Sequence, residues 1–358
     1  MKRTVSFLFS RTVLLGALAL LCACGARDGA SNHTAVQTTA ATQFIASDPT
    51  ETPTTDPTAL PEPTPTPERT PTQDPAPAPD PVPTPFSIVW MSDTQDLTRS
   101  HPDVFFCMRD WILREREARN IVFLVHTGDV VDGLSAAMRE NATEALMPLL
   151  ETIPAMVVSG NHDIGSEENH DLFLRRPYAQ AVRKEGQTLP LGDAAYAVLE
   201  AGGDTFVIVG VGYNVRGAKL RKWIEALNEQ YPDAVFLYVL HYGLLEDGRL
   251  SGQAAYLVHT VIRDNPHARL MLCGHHDGSL RHDEWIDDDG DGEGERLFTT
   301  LMFNYQDDGP VAFGYMRILT FYPEDRRIEV STYSPWYDQW GYPNVAPEDN
   351  AFVLENAY

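Results

Sequence analysis

An α/β fold is predicted by three features of the sequence. Short apolar runs of strand length recur from Phe86 onward, segments of helical pattern lie between several of them, and a polar cluster closes most of the runs. The runs cover residues 86–91, 121–125, 155–159, 206–211, 235–240 and 270–273. Strand-length apolar runs of this kind belong to buried sheets. The helical patterns cover 104–119, 136–150, 218–229 and 253–263. Strand, helix, strand, helix is the order of an α/β domain. After Cys273 the chain turns β-rich, with expected strands over 279–285, 296–304, 315–322 and 327–333. No internal repeat is visible.

The first 85 residues are of a different kind. Lys2, Arg3 and Arg11 precede or flank an apolar run, 13–21, that is too short for a stable membrane span. The run closes on Leu21-Cys22-Ala23-Cys24, which resembles a bacterial lipobox. The resemblance implies cleavage and a diacylglyceryl anchor on Cys24, with residues 1–24 as lipoprotein signal peptide. Two acyl chains hold a protein at a membrane where one is marginal. Residues 25–85 are mainly Thr, Ala and Pro, and 14 of the chain's 26 prolines fall between Pro49 and Pro85. Such a stretch buries nothing and is expected to be a disordered stalk, extended on the order of 100 Å at about 3.1 Å per residue. The expected location is the outer face of the cell membrane, lipid-anchored, with residues 86–358 as the folded domain.

The formal net charge is −24. Removing the basic leader and the acidic stalk leaves about −21 for the domain. That balance excludes a phosphate-backbone binder, which needs clustered Lys and Arg, so no nucleic-acid surface is expected. Of four cysteines, Cys22 and Cys24 fall in the export segment; Cys107 and Cys273 are too few for a disulfide framework and are expected as buried thiols.

The polar clusters carry the chemistry. Ser92-Asp93-Thr94-Gln95 follows the first run, His126-Thr127-Gly128-Asp129-Val130-Val131-Asp132 the second, and Ser159-Gly160-Asn161-His162-Asp163 ends the third. His241 follows the run 235–240, and Gly274-His275-His276-Asp277 follows 270–273. Ligands of α/β sheets bind outside the carboxyl ends of the strands. Five strand ends therefore offer Asp, Asn, Gln and His to one place, and these are metal ligands.

The ordered set Asp-x-Gln, Gly-Asp-x-x-Asp, Gly-Asn-His-Asp, a strand-end His and Gly-His-x-Asp resembles the calcineurin-like metallophosphoesterases, over nearly all of residues 86–335. The resemblance implies a sandwich of two β-sheets flanked by helices. It implies two divalent metal ions and hydrolysis of a phosphate mono- or diester through a bridging hydroxide. Asp129 would bridge the metals, Asp93 would bind the first, and Asn161, His241 and His275 the second. His162 would sit beside the scissile phosphate with Asp163 orienting its ring, while Asp132 supports the loop. Two positions depart from the family pattern: Gln95 and Asp277 stand where His is usual, both at the first metal. With them the first site is all oxygen, Asp93, Gln95, Asp129 and Asp277. Oxygen donors suit Mn²⁺, Mg²⁺ or Ca²⁺, while imidazoles suit Zn²⁺ or Fe²⁺ and accept Mn²⁺, so Mn²⁺ is the expected ion.

The same departures keep a rival reading open, a surface-displayed binding module with a degraded first metal site. Asp287 to Gly292 resembles the opening of a Ca²⁺ loop, but its closing acid is missing because position 298 is Phe, and a hairpin turn is expected. Asn304-Tyr305-Gln306 reads equally as pocket lining or strand-end packing. His126 reads as packed, and His276 as an exposed loop residue.

Overall fold

The computed structural model describes residues 84–133, 135–163 and 194–358. The leader, the Cys24 lipobox and all but the end of the stalk lie outside the described residues. Among the described residues no helix is long and apolar enough to cross a membrane.

Among the described residues thirteen strands make two sheets. The first runs β12 (Gln339–Trp340), β11 (Arg327–Ser334), β10 (Met316–Tyr322), β1 (Phe86–Met91), β2 (Ile121–His126), β3 (Ala155–Val157), with β13 (Ala351–Leu354) on the same outer edge of β11. The second runs β4 (Ala194–Ala201), β5 (Asp204–Val211), β6 (Val235–Leu240), β7 (Ala268–Cys273), β9 (Arg296–Asn304), β8 (Gly278–Ile286). β1, β2 and β3 are parallel, as are β5, β6, β7 and β9. All these strands therefore end on one side of their sheet.

Side-chain parity explains the layers. Phe86, Ile88 and Trp90 of β1 face inward, where they meet Phe206, Leu237, Leu270 and Phe303 in the core between the sheets. Val89 and Met91 face outward onto α1 (Gln95–Ser100), α2 (Pro102–Glu115) and α3 (Ala136–Leu150), through Phe105, Met108 and Leu146. On the far side Val207, Val209 and Phe236 pack on α4 (Ala218–Gln230) and α5 (Gly252–Leu257). Both faces of the central strands are covered, which is why their sequences read as continuous apolar runs. The result is the expected α/β architecture: two sheets face to face with helices outside each.

Several elements differ from the sequence reading. β4 was not anticipated; it is Ala-rich, a composition that favours helix, yet it pairs antiparallel along the whole of β5 through the turn Gly202-Gly203. The pattern 253–263 begins as α5 and continues as a π turn over Val258–Ile262. β3 stops at Val157, two residues short of the expected end. Cys273 is buried as expected, but Cys107 is only half-buried. The acidic stretch from Asp287 forms the turn of the β8–β9 hairpin, where Asp287 accepts bonds from the Gly290 and Gly292 amides.

Candidate metal centre

Each ligand loop leaves the end of a parallel strand and bends sharply. Asp93, Asp129 and His275 adopt φ of 49°, 53° and 79°, in the left-handed region where such residues are uncommon. Backbone of this kind costs on the order of 1–3 kcal/mol per residue and clusters at functional sites. The loops touch one another closely. A Cβ on Gly160 would overlap the Asp129 carboxylate, and one on Gly274 would overlap Ser92 and Asp93. The glycines ahead of Asn161 and His275 are thus required by contact between neighbouring loops.

The buried side chains converge on His241, which is fully buried. Its Nδ1 donates to the Thr127 carbonyl at 2.9 Å, which aims Nε2 into the cluster. Asn161 Oδ1 lies 2.9 Å from that Nε2, His275 Nδ1 3.0 Å and Asp129 Oδ2 3.2 Å. One ring nitrogen carries at most one proton, so it satisfies only one of these three atoms. Three lone-pair donors around a fourth is the arrangement a cation completes. Asp129, His241 and His275 offer ligand atoms all within 4.8 Å of one another.

The side where the first metal is expected is reached through Asp93 and Gln95, both about 3% exposed. The His275 amide donates to Asp93, as does the Ser92 hydroxyl, which in turn accepts from Thr127 at 2.6 Å. Gln95 Nε2 reaches Asp129 Oδ2 at 3.5 Å, while Gln95 Oε1 is buried with no hydrogen-bond partner. An orphaned buried acceptor is costly unless something outside the protein meets it. The donor set fits a divalent cation on both counts.

Charge distributes accordingly. Burial lifts Asp93 to about 7, the Asp129 charge adding to it against His241. Burial opposes charge on His241, but the Asp129 hydrogen bond and the Asp93 and Asp129 charges outweigh it and raise the ring to about 9. His275 is held down at about 4 by burial and by His241, and so presents a neutral nitrogen.

His162 is exposed beside this cluster. Its amide donates to Asp129 Oδ1 at 2.9 Å, and its ring Nδ1 meets Asp132 Oδ1 at 2.8 Å. Arg99 Nη2 lies 3.2 Å from the other Asp132 oxygen. The two acids exchange the roles expected of them. Asp163, expected to orient the His162 ring, is buried and accepts from the amides of Gly160, Asp129, Val130 and Val131 at 2.8–3.1 Å. Asp163 holds the loops, and Asp132 holds the ring. The reason is direction: the turn after Asn161 points the Asp163 carboxylate back into the amide cradle.

Asp277 stands apart from the other expected ligands. It is exposed, and burial with the charges of Asp308 and Asp307 raises its pKa. Among the described residues no hydrogen bond or ion pair joins it to Asp93, Gln95 or Asp129. His276 is half-buried and faces Glu246 at 3.6 Å. His126 is packed as expected, accepting from the Gly128 amide and meeting the Thr94 hydroxyl at 3.1 Å. Asn304 donates to the His275 carbonyl and supports that loop. Ser92, Thr127 and Arg99 were missed in the sequence; each sits beside a ligand motif or one helical turn past it, the only signal they gave.

The sequence profile of the calcineurin-like phosphoesterases matches residues 86–277, the segment that supplies all these strand-end loops. The chain belongs to that family. Membership implies phosphate-ester chemistry and divalent metal ions. The chain is also 29% identical over 264 residues to an uncharacterized Bacillus subtilis protein, YvnB, matching 72% of this chain but only 20% of that one. It thus spans about a fifth of the length of that curated relative. Among solved structures, GAP50, "the anchor in the inner membrane complex of Plasmodium", is 12% identical with a TM-score of 0.45, covering 76% of this chain and 89% of that one. TT1561 of Thermus thermophilus is 10% identical with a TM-score of 0.37, covering 72% and 98%.

Proposed function

We propose that this calcineurin-like phosphoesterase hydrolyses a phosphate mono- or diester at a two-cation centre, and does so outside the cell as a lipid-anchored protein. The observation that carries the chemistry is the convergence of Asp129, Asn161 and His275 on His241 Nε2, with the orphaned Gln95 Oε1 beside them. Asp93, Gln95 and Asp129 would hold one cation, and Asp129, Asn161, His241 and His275 the other. When bound, the two cations would neutralise the phosphate oxygens and supply an activated water. His162 carries a proton at the exposed edge: Asp132 holds Nδ1, which leaves Nε2 to meet the leaving oxygen. Mn²⁺ is the ion acceptable to both the oxygen-rich and the imidazole-bearing half, ahead of Mg²⁺, Ca²⁺, Fe²⁺ and Zn²⁺.

The position of Asp277 favours a second reading, a surface binding module whose first site is incomplete. One assay separates the two. Chelated full-length protein is reloaded with Mn²⁺, Mg²⁺ or Zn²⁺ and given nitrophenyl phosphate mono- and diesters. Turnover highest with Mn²⁺, and lost in Asp129→Ala together with both metals, is the expected result. A protein that binds one metal and hydrolyses neither ester with any ion is the binding module.

The location rests on the leader, on Cys24 and on the Pro-rich stalk, which would carry the acidic domain clear of the membrane. Cys24→Ser is expected to move the protein from the membrane fraction to the soluble one. Membrane attachment of that variant that survives a carbonate wash would remove the lipid anchor from the proposal.

A further inference from the structure

We infer that Tyr213 and Tyr242 form a stacking platform beside the metal centre, and that its substrates are phosphate esters of a planar ring, an aryl alcohol or a nucleoside. The inference rests on reading the site as a phosphoesterase and names the organic arm of the ester.

The two tyrosines occupy equivalent places in the second sheet. Val211 and Leu240 are register partners at the ends of the parallel strands β5 and β6, and Tyr213 and Tyr242 each lie two residues further on. Both side chains are half-buried. Their rings are stacked 27° from parallel with centroids 6.4 Å apart, so they form one aromatic pair. They border the metal cluster directly: ring centroids lie 6.0 Å (Tyr213) and 4.5 Å (Tyr242) from that of His275. An organic arm leaving the cluster on that side meets aromatic faces.

The platform is held from behind by the start of α5, where Ser251 caps the helix through the Ala254 amide. Gln253 is 2% exposed, and its amide group is spent entirely on the Tyr213 loop. It donates to the carbonyls of Gly212 at 2.8 Å and Val215 at 3.2 Å, and accepts from the Asn214 amide at 2.9 Å. Ser251, two residues earlier, donates to the Tyr242 carbonyl at 2.7 Å. The Tyr213 amide donates across to the Ser159 carbonyl in the loop that bears Asn161. The start of α5 therefore fixes the backbone on which both tyrosines stand. With the backbone fixed, only the two side-chain torsions of each tyrosine are left to order when a ligand stacks, which limits the entropic cost of binding.

The chemistry selects the arm. A flat π face gains from offset stacking on a phenol ring, while a glycerol or short alkyl arm has no such face to offer. The domain's charge of about −21 disfavours an arm carrying further phosphates. A monoester of a nucleoside or aryl alcohol meets both conditions.

The test is equilibrium binding to the full-length Mn²⁺-loaded protein carrying His162→Ala, which slows turnover so that the esters survive the titration, read by calorimetry, with phenyl phosphate, adenosine monophosphate and glycerol phosphate as probes. The expected result is tighter binding of one or both ring esters, on the order of tenfold over glycerol phosphate, as one stacking contact supplies. Phenyl phosphate against adenosine monophosphate distinguishes the aryl from the nucleoside source. In Tyr213→Ala and Tyr242→Ala the ratio of ring ester to glycerol phosphate should fall toward one. Tyr213→Phe and Tyr242→Phe, which keep the rings, should preserve it. Equal affinity for all three probes with both tyrosines in place, or a preference that survives both alanine variants, overturns the platform. A protein that prefers ring esters through these tyrosines yet hydrolyses none keeps this inference and loses the proposed activity.

Discussion

His162 lies between two acids that follow and precede it in the motifs, and only one of them reaches its ring. Asp132 meets Nδ1 at 2.8 Å, and Arg99 holds the opposite oxygen of Asp132. Burial opposes the imidazolium, but the Asp132 hydrogen bond and the Asp129 and Asp132 charges outweigh it and raise the His162 pKa. A raised pKa keeps the ring protonated to higher pH, which suits a proton donor. His162→Ala is expected to slow turnover by about 10²–10⁴, with metal retained. The loss should be greater for alkyl esters than for nitrophenyl esters, whose leaving groups need no proton. Asp132→Asn removes the charge that raises the ring, so the alkaline limb of the kcat profile should move to lower pH. Steady-state rates across pH for both esters check this; an unmoved limb would detach Asp132 from the ring's titration. The place of His162 beside the cluster was legible in Gly-Asn-His-Asp, but the choice between Asp132 and Asp163 as its ring partner was not. That choice is made by the direction of a turn, and residue types alone do not encode it.

The elements that carry ligands were the most legible ones. β1, β2, β6 and β7 are short, apolar on both faces and closed by polar clusters, so their existence and the side on which the site forms follow from the sequence. β4 was missed because an Ala-rich edge strand has helical propensity and is defined by its partner; the Gly202-Gly203 turn was its only local mark. Loop-to-loop bonding was equally invisible. Asp163 joins the β2 loop to the β3 loop through four amides, three of them on consecutive residues, Asp129, Val130 and Val131. Replacing one carboxylate oxygen by an NH₂ group, as in Asp163→Asn, turns an acceptor into a donor facing donors. The buried amides left unmet should cost about 1–3 kcal/mol of stability. Urea unfolding in the presence of chelator measures this free of any metal effect. A variant as stable as the natural protein would show that water replaces the carboxylate in the cradle.

Across the whole domain, the two sheets meet through an apolar core that carries no directional information about their edges. The candidate ligands are shared between them. Asp93, Asp129 and Asn161 follow strands of the first sheet, and His241 and His275 follow strands of the second. Within the chain itself the crossings include the Thr127 carbonyl on His241, the His275 amide on Asp93 and the Tyr213 amide on the Ser159 carbonyl. Cations at this cluster would add bonds between the sheets and offset the mutual repulsion of Asp93 and Asp129, one of the causes that raise Asp93. Metal removal is therefore expected to lower the stability of the entire fold. At a free Mn²⁺ concentration a hundredfold above Kd, linkage adds about 2.7 kcal/mol. For a domain of this size each kcal/mol moves Tm by about 2–4 °C, so Mn²⁺ should raise Tm by about 5–10 °C over the chelated protein. Asp129→Ala, which removes the ligand proposed to be shared, should unfold at the same temperature with and without Mn²⁺. Thermal unfolding of both proteins in Mn²⁺ and in chelator decides it: a shift of equal size in Asp129→Ala would place the stabilising ion somewhere other than this centre.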